Sequence, residues 1–209
     1  MNRAIKFYFL GMTCVTFLFS CQQQKIEQKR KILILGNSIT HHGPAESIGW
    51  KGNWGMAASE ADSDYVHILR RELKDTIIAK NIAYWESDFN YDFASDSDRM
   101  LHPDVLILRL GENVNKDSIA HYYQALGKLT KTFPASEVIV TGTFWLMNER
   151  DSVQQKFAKD NDYKFVSLRA AWPNPAYQAI GNFDNAGVGV HPNNLGMQFI
   201  AQSIMESLD

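Results

Sequence analysis

Two residues near opposite ends of the chain have the types and surroundings that nucleophilic catalysis requires. Ser38 directly follows the apolar run 31–35 through the turn Gly36-Asn37, and His191 precedes the C-terminal segment. A serine hydroxyl attacks an acyl carbon when a neighbouring base takes its proton, and imidazole is the most frequent base. A fold that joins these two side chains could therefore carry out acyl transfer.

A third candidate is an amide side chain after another apolar run. Residues 104–110 are followed by Gly111-Glu112-Asn113. The Asn113 amide and the backbone N–H of Ser38 could donate to the oxyanion that forms during acyl transfer. A Gly-x-Asn sequence after a strand is, however, more often a simple turn.

Strand-like and helix-like patterns alternate along the chain, which predicts parallel β-strands joined by helices. The predicted strands are 31–36, 82–85, 104–110, 137–141 and 163–167. The predicted helices are 65–79, 119–133, 151–161 and 194–208. Chemistry in such sheets gathers at the carboxyl ends of the strands, where Ser38 and Asn113 would lie.

These segments resemble the SGNH (GDSL-type) serine hydrolases over residues 31–209. Gly36-Asn37-Ser38 resembles the first family block, with Asn in place of the usual Asp, Gly111-Glu112-Asn113 the third, and His191 the last. The resemblance implies an α/β fold, a three-layer α/β/α sandwich around a flavodoxin-like, five-stranded parallel sheet. It also implies that Ser38 is the nucleophile, His191 the base, and the Gly111–Asn113 turn part of the oxyanion site.

The chain departs from the family pattern at the acid of the triad. The family usually has an aspartate three residues before its histidine, and here that residue is Val188. A Ser-His dyad, with a backbone carbonyl or water orienting His191, is the favoured interpretation. Asp184 is the alternative acid, because Gly187 and Gly189 could let the loop fold back.

The second departure concerns the glycine of the second family block, which follows strand two. In the family, the N–H of this glycine points at the oxyanion. Residues 85–103 contain no glycine. Asn90 is the expected replacement for this donor. Alternatively, the loop that contains Gly52 and Gly55 reaches into the site. That loop, 41–64, also holds Trp50 and Trp54, which could either stack on sugar rings of a substrate or pack the loop onto the body.

The N-terminal residues resemble a bacterial lipoprotein signal. Arg3 and Lys6 precede the apolar stretch 7–19, which ends in Ser20-Cys21. This pattern predicts a signal peptide at 1–20, lipidation of Cys21, a tether at 21–30 and a location in the cell envelope. The other cysteine, Cys14, would leave with the signal, so no internal disulfide is expected.

Composition agrees with one globular domain of 209 residues, 45% hydrophobic and 21% charged. The net charge of −2 gives no indication of nucleic-acid binding. No phosphate-binding or dinucleotide motif occurs, and the adjacent pair His41-His42 is poorly spaced to share one metal ion. We therefore expect no cofactor and no metal.

These observations predict an esterase that removes small acyl groups, with acetyl on a carbohydrate preferred. A lipase or thioesterase using the same residues is one alternative. A glycan-binding lipoprotein that has lost turnover is the other, since the acid and the second-block glycine are both absent.

Overall fold

A five-stranded parallel sheet forms the centre of the protein in this computed structural model, which describes residues 29–208. The strand order is β2-β1-β3-β4-β5, and every neighbouring pair is parallel. This order confirms the flavodoxin-like sheet expected from the sequence. The strands are β1 (Lys31–Gly36), β2 (Thr76–Asn81), β3 (Val105–Leu108), β4 (Glu137–Thr141) and β5 (Lys164–Val166).

Helices cover both faces of this sheet. They are α1 (Tyr65–Leu73), α2 (Ala83–Ser87), α3 (Asp96–Arg99), α4 (Ile119–Thr132), α5 (Asn148–Asp160), α6 (Ala186–Gly189) and α7 (Asn194–Leu208). Single 3₁₀ turns span Glu46–Ile48, Ala61–Ser63, Lys116–Ser118 and Pro175–Tyr177.

The alternation of side chains along the strands divides the core into two layers. Ile32 and Ile34 of β1 pack with α1 and α7 on one face. Leu33 and Leu35 pack with α2, α4 and α5 on the other face. Because both faces are covered, β1 is a continuous apolar run rather than an alternating one.

The second strand lies earlier in the chain than predicted. The helix predicted over 65–79 ends at Leu73, and Lys74 adopts a left-handed conformation with φ of 58°. The β-branched run that starts at Thr76 then pairs with β1, while the predicted strand 82–85 belongs to α2. Pairing with β1 in the sheet therefore outweighs the helical spacing of the apolar residues here.

The predicted lipidation site Cys21 and most of the proposed tether lie outside the described residues. Within residues 29–208, no helix is both long enough and apolar enough to cross a bilayer. The other predicted strands and helices are found within a few residues of their predicted bounds, and α7 has the predicted bounds.

Strand register brings the candidate residues to one edge of the sheet. Gly36 at the end of β1 pairs with Asn81 at the end of β2, and Leu35 pairs with Leu108 near the end of β3. The loops after these strands therefore leave the sheet side by side, carrying Ser38 and Asn113 with them.

Candidate active site

Ser38 and His191 meet in a cleft at this edge of the sheet. Ser38 Oγ and His191 Nε2 are 2.9 Å apart, although the residues are separated by 153 positions. The cleft has a volume of about 550 Å³. Its lining consists of Ser38, His42, Ile48, Met56, Asn81, Ala83, Tyr84, Asn113, Asn185, Gly187, Val188 and His191.

A tight turn after β1 presents Ser38 to the cleft. The backbone N–H groups of Thr40 and His41 both donate to the Asn37 carbonyl, at 2.9 and 3.1 Å. A Cβ atom on Gly36 would overlap the Thr40 side chain, so only glycine fits there. The turn is thus fixed by backbone hydrogen bonds and by one close approach.

A backbone carbonyl orients His191. His191 Nδ1 lies 2.8 Å from the carbonyl oxygen of Gly187. A carbonyl can only accept, so Nδ1 carries the hydrogen and Nε2 is left as an acceptor facing the Ser38 hydroxyl. These contacts have the geometry expected for the dyad in which a backbone carbonyl orients His191.

The alternative acid, Asp184, does not take part in this arrangement. Asp184 is exposed and lies outside the cleft lining, and the histidine nitrogen that it would bind is held by Gly187. Asn185 fixes this loop instead, because its side-chain oxygen accepts from the N–H groups of Gly187 and Val188 at 2.8 and 3.2 Å. An aspartate at 184 is therefore too far along the loop to replace the missing one at 188.

Trp145, after β4, packs its ring against the imidazole. The two ring centroids are 5.1 Å apart at an interplanar angle of 89°, and the indole N–H donates to the Val190 carbonyl at 2.9 Å. His191 is only 7% exposed. Burial disfavours the imidazolium and lowers the pKa of His191 to about 4.

This pKa predicts where an activity that uses His191 as base would be lost. The neutral imidazole is the form that accepts the serine proton, so protonation abolishes activity. As the pH is lowered, we expect the last fall in kcat/KM to have its midpoint near pH 4. A histidine with an ordinary pKa would place this midpoint near pH 6.5. A pH–rate profile from pH 3 to 9 with an acetyl ester measures it; a final limb at 6.5 would contradict the prediction.

Asn113 lies in the cleft and is held from behind by a buried carboxylate. Asn113 Nδ2 donates to Glu86 Oε2 at 2.7 Å, and Asn113 also lines the cleft. An amide nitrogen carries two hydrogens, so one stays available for a ligand. Gly111, expected on the oxyanion side, instead donates its N–H to Glu86 Oε1 and has φ of 122°. Gly111 therefore shapes the turn and is not a free donor.

The asparagine in place of the family aspartate has a local explanation. The Asn37 side chain is completely buried, and its Nδ2 donates to Glu112 Oε2 at 2.7 Å. Glu112 also accepts from Arg109 and from the N–H of Phe144. An aspartate at 37 would place a second negative charge against Glu112, whereas the amide donates a hydrogen to it.

Asn90 is not near the site, and its predicted role as an oxyanion donor is wrong. It is exposed, its N–H donates to Asp88 Oδ1 at 3.0 Å, and it lines a separate depression with Ser118 and His121. Because β2 ends at Asn81 rather than after residue 85, the segment that reaches the cleft is 81–84.

The Gly52/Gly55 loop does not supply the missing donor either. The Gly55 N–H donates to Asp64 Oδ2 at 2.9 Å. Gly52 is enclosed by the rings of Trp50 and Trp54. Neither glycine lines the cleft.

Trp50 and Trp54 pack the loop onto the body, which was the alternative to sugar stacking. Trp50 is 3% exposed, its indole contacts that of Trp54 edge-on at 5.7 Å, and its N–H donates to the His42 carbonyl. The Trp54 N–H donates to the Ala58 carbonyl. The aromatic side chain that reaches solvent at the cleft is Tyr84, which is 77% exposed and whose ring lies 5.7 Å from that of Tyr91.

The described residues contain no cluster of three or more His, Cys, Asp or Glu side chains arranged to hold a metal ion. His42, which lies in the cleft beside His191, has its Nδ1 2.6 Å from the Gly43 carbonyl.

The sequence-predicted residues that the structure brings together are Ser38, His191 and Asn113. Sequence reasoning missed Glu86, Trp145, Tyr84 and the Gly187 carbonyl. A backbone carbonyl leaves no trace in residue types. Glu86 could have been noticed as a single carboxylate in the otherwise apolar-faced segment that follows strand two.

Comparison with solved structures shows the fold of SGNH hydrolases. A proposed SGNH hydrolase from Slackia heliotrinireducens matches with a TM-score of 0.60 and 13% identity, covering 87% of this chain and all of that one. An acetyl xylan esterase, AlAXEase, matches with a TM-score of 0.53 and 19% identity, and the match covers 86% of this chain and all of that one. A family two carbohydrate esterase from Cellvibrio japonicus matches at 0.53 and 16%; 86% of this chain aligns with 60% of that longer one. No family model and no curated protein matches the sequence.

Proposed function

We propose that this chain, which has the fold of the SGNH hydrolases, is a serine esterase that removes acetyl groups from carbohydrate. The observation that carries the proposal is the 2.9 Å contact between Ser38 Oγ and His191 Nε2, with Nδ1 held by a carbonyl. This geometry is that of a nucleophile and its general base.

In the proposed reaction, Ser38 Oγ attacks the ester carbonyl carbon while His191 Nε2 takes its proton. The tetrahedral intermediate collapses when the bond to the sugar oxygen breaks and His191 gives that oxygen the proton, which leaves an acetyl-serine and a free sugar hydroxyl. Water, deprotonated by the same nitrogen, then attacks the acyl carbon, and the second intermediate collapses to acetate as His191 returns the proton to Ser38 Oγ.

The oxyanion of each intermediate would be held by the free N–H of the Asn113 amide and by the Ser38 backbone N–H. A preorganised donor of this kind is worth about 3 to 4 kcal/mol in the transition state. The Gly187 carbonyl keeps the imidazole in the tautomer that can accept the proton, and it stabilises the imidazolium that forms.

Two observations support a carbohydrate alcohol. Several structures with the same fold are named carbohydrate or acetyl xylan esterases. In addition, Tyr84 presents an exposed ring at the rim of the cleft, supported by Tyr91, where the leaving group would pass. An aromatic face of this kind offers apolar area to a sugar ring without losing much side-chain entropy.

A lipase or thioesterase remains the second candidate, because Ile48, Met56, Ala83 and Val188 give the cleft an apolar side. Similar structures include proteins named as GDSL-like lipases. Such an enzyme would prefer long acyl chains to acetyl.

The substrate proposal is tested with acetylated xylo-oligosaccharide, p-nitrophenyl acetate and p-nitrophenyl octanoate, on wild type and Tyr84→Ala. We expect acetyl to exceed octanoyl at least tenfold in wild type. Tyr84→Ala should lower kcat/KM about fivefold on the oligosaccharide, as loss of one exposed aromatic contact of about 1 kcal/mol predicts, and less than twofold on p-nitrophenyl acetate. Tyr163→Ala, far from the cleft, is the control. A preference for octanoyl would favour the lipase instead.

A further inference from the structure

We infer that Glu86 is a positioning residue of this active site, whose carboxylate holds the Gly111–Asn113 turn so that the Asn113 amide points at the oxyanion. The inference rests on the proposed function, because it gives the amide its role. It assigns a task to a buried group that neither touches the cleft nor forms the dyad.

The geometry is a two-point clamp. One oxygen of Glu86 accepts from the Gly111 N–H, and the other accepts from Asn113 Nδ2 at 2.7 Å. The two donors bracket the turn, and each occupies a different oxygen of one carboxylate. With one amide hydrogen fixed on Glu86, the Asn113 side chain has little freedom to rotate, and the direction of its second N–H follows.

Glu86 reaches this position from a different part of the chain. It lies on α2, directly after β2, whereas the turn follows β3; β1 separates the two strands in the sheet. Trp85, beside Glu86, is buried in the core on the α4 side of the sheet. The core therefore anchors α2, and α2 anchors the turn.

The burial of a carboxylate in this position calls for a reason. Glu86 is fully buried. The charged and titratable groups near it are Glu112 and Arg109 at the end of β3 and Tyr122 on α4. Arg109 donates its hydrogen bonds to Glu112 rather than to Glu86. Desolvation and the Glu112 charge together raise the pKa of Glu86 to about 7.

This cost makes a purely scaffolding role a poor explanation. A glutamine would be the cheaper buried residue if one hydrogen bond sufficed, but its amide has a single acceptor oxygen and would turn an NH₂ group toward one of the two donors. A carboxylate satisfies both donors, because each of them meets a different oxygen of Glu86. The buried charge is stabilised by the hydrogen bonds from Gly111 and Asn113, and the Asn37 side chain also lowers the pKa of Glu86.

The test is a double-mutant cycle of Glu86→Gln and Asn113→Ala on p-nitrophenyl acetate. We expect Asn113→Ala to lower kcat about 10²- to 10³-fold. Glu86→Gln should lower kcat roughly 10- to 100-fold, which is a smaller loss than removal of the Asn113 donor causes. It should change KM less than threefold. In the Asn113→Ala background, Glu86→Gln should cost less than threefold, because the group that it positions is already gone.

The pH profile adds a readout that a structural role would not move. Wild-type kcat/KM should fall by a small step near pH 7, as the proton on Glu86 competes with the two donors, before the final limb of His191. Glu86→Gln should lack this step and keep the final limb. Glu86→Asp, which keeps the charge on a shorter side chain, should retain the step with reduced kcat.

Asp98→Asn is the matched control for loss of a buried carboxylate. Asp98 is buried and accepts from the Ser95 N–H at 3.0 Å and from Lys80 at 2.5 Å, away from the cleft. This variant should keep kcat within twofold. Thermal unfolding of every variant shows whether it is folded.

Failure of this inference differs from failure of the proposed function. An equal loss from Glu86→Gln in both backgrounds would overturn the inference while leaving the esterase intact. If wild type hydrolyses no ester, the proposed function fails, and nuclear magnetic resonance decides the clamp. The Asn113 side-chain amide signals should shift as Glu86 is protonated in wild type and stay constant with pH in Glu86→Gln; signals with the same pH dependence in both proteins would overturn the clamp.

Discussion

Replacing Ser38 by alanine should abolish ester hydrolysis, lowering kcat by about 10⁶-fold, because no other group in the proposed mechanism can form the acyl intermediate. Wild type should be labelled covalently by a fluorophosphonate probe, and Ser38→Ala should not. The hydroxyl contributes a 2.9 Å contact to His191 and little burial, so the variant should remain folded. Gel detection of the probe and release of p-nitrophenol measure both effects.

The matched control is Ser47→Ala, a serine in the loop that follows the same turn but outside the cleft lining. It should be labelled and should turn over ester at the wild-type rate. Labelling that persists in Ser38→Ala would show another nucleophile. Absence of labelling and hydrolysis in wild type would remove the esterase proposal and favour the glycan-binding alternative.

Replacing His191 by alanine should cost nearly as much as replacing Ser38, since the dyad acts as a unit and loss of either member costs about 10⁶-fold in a comparable serine hydrolase. KM should change little, because the imidazole acts on the proton rather than on the ground-state ester. Initial rates with p-nitrophenyl acetate between pH 6 and 9 measure the loss.

Two further variants make the His191 result specific. His102→Ala, at an exposed histidine outside the cleft, should be indistinguishable from wild type. Asp184→Asn should reduce kcat less than threefold, because the Gly187 carbonyl occupies Nδ1. A loss of about 10⁴-fold in Asp184→Asn would instead indicate a triad and a rearranged loop.

The sequence predicts the sheet well where strands are buried on both faces. Residues 31–36 and 137–141 are apolar runs of the length that a parallel sheet requires, and they form β1 and β4. Strand two fails because it is the edge strand: Ala79 and Lys80 are only half-buried, so no long apolar run marks it. Register with β1 decides its place, and register is not visible in a single segment.

The site shows the same division between local and long-range information. Ser38 and Asn113 follow strands directly, so strand prediction places them, and His191 precedes a strongly marked helix. The prediction for Asn90 fails because the predicted strand two lies too late in the chain, so the predicted loop after it also lies too late. Glu86 is visible in the sequence as a carboxylate in an apolar segment, but its inferred role appears only in three dimensions, because it depends on a turn 25 positions later in the chain.

In the proposed mechanism a peptide oxygen aligns the histidine, and this changes how the protein can vary over evolution. A carboxylate partner can be lost through one nucleotide change, whereas a main-chain oxygen survives any replacement that preserves the loop. Positions 184 and 188 then need no carboxylate, whereas the loop conformation set by Asn185 has to be retained. Searches for the acid three positions ahead of the histidine would pass over such sequences, so the catalytic competence of distant relatives is better judged by loop shape than by that residue.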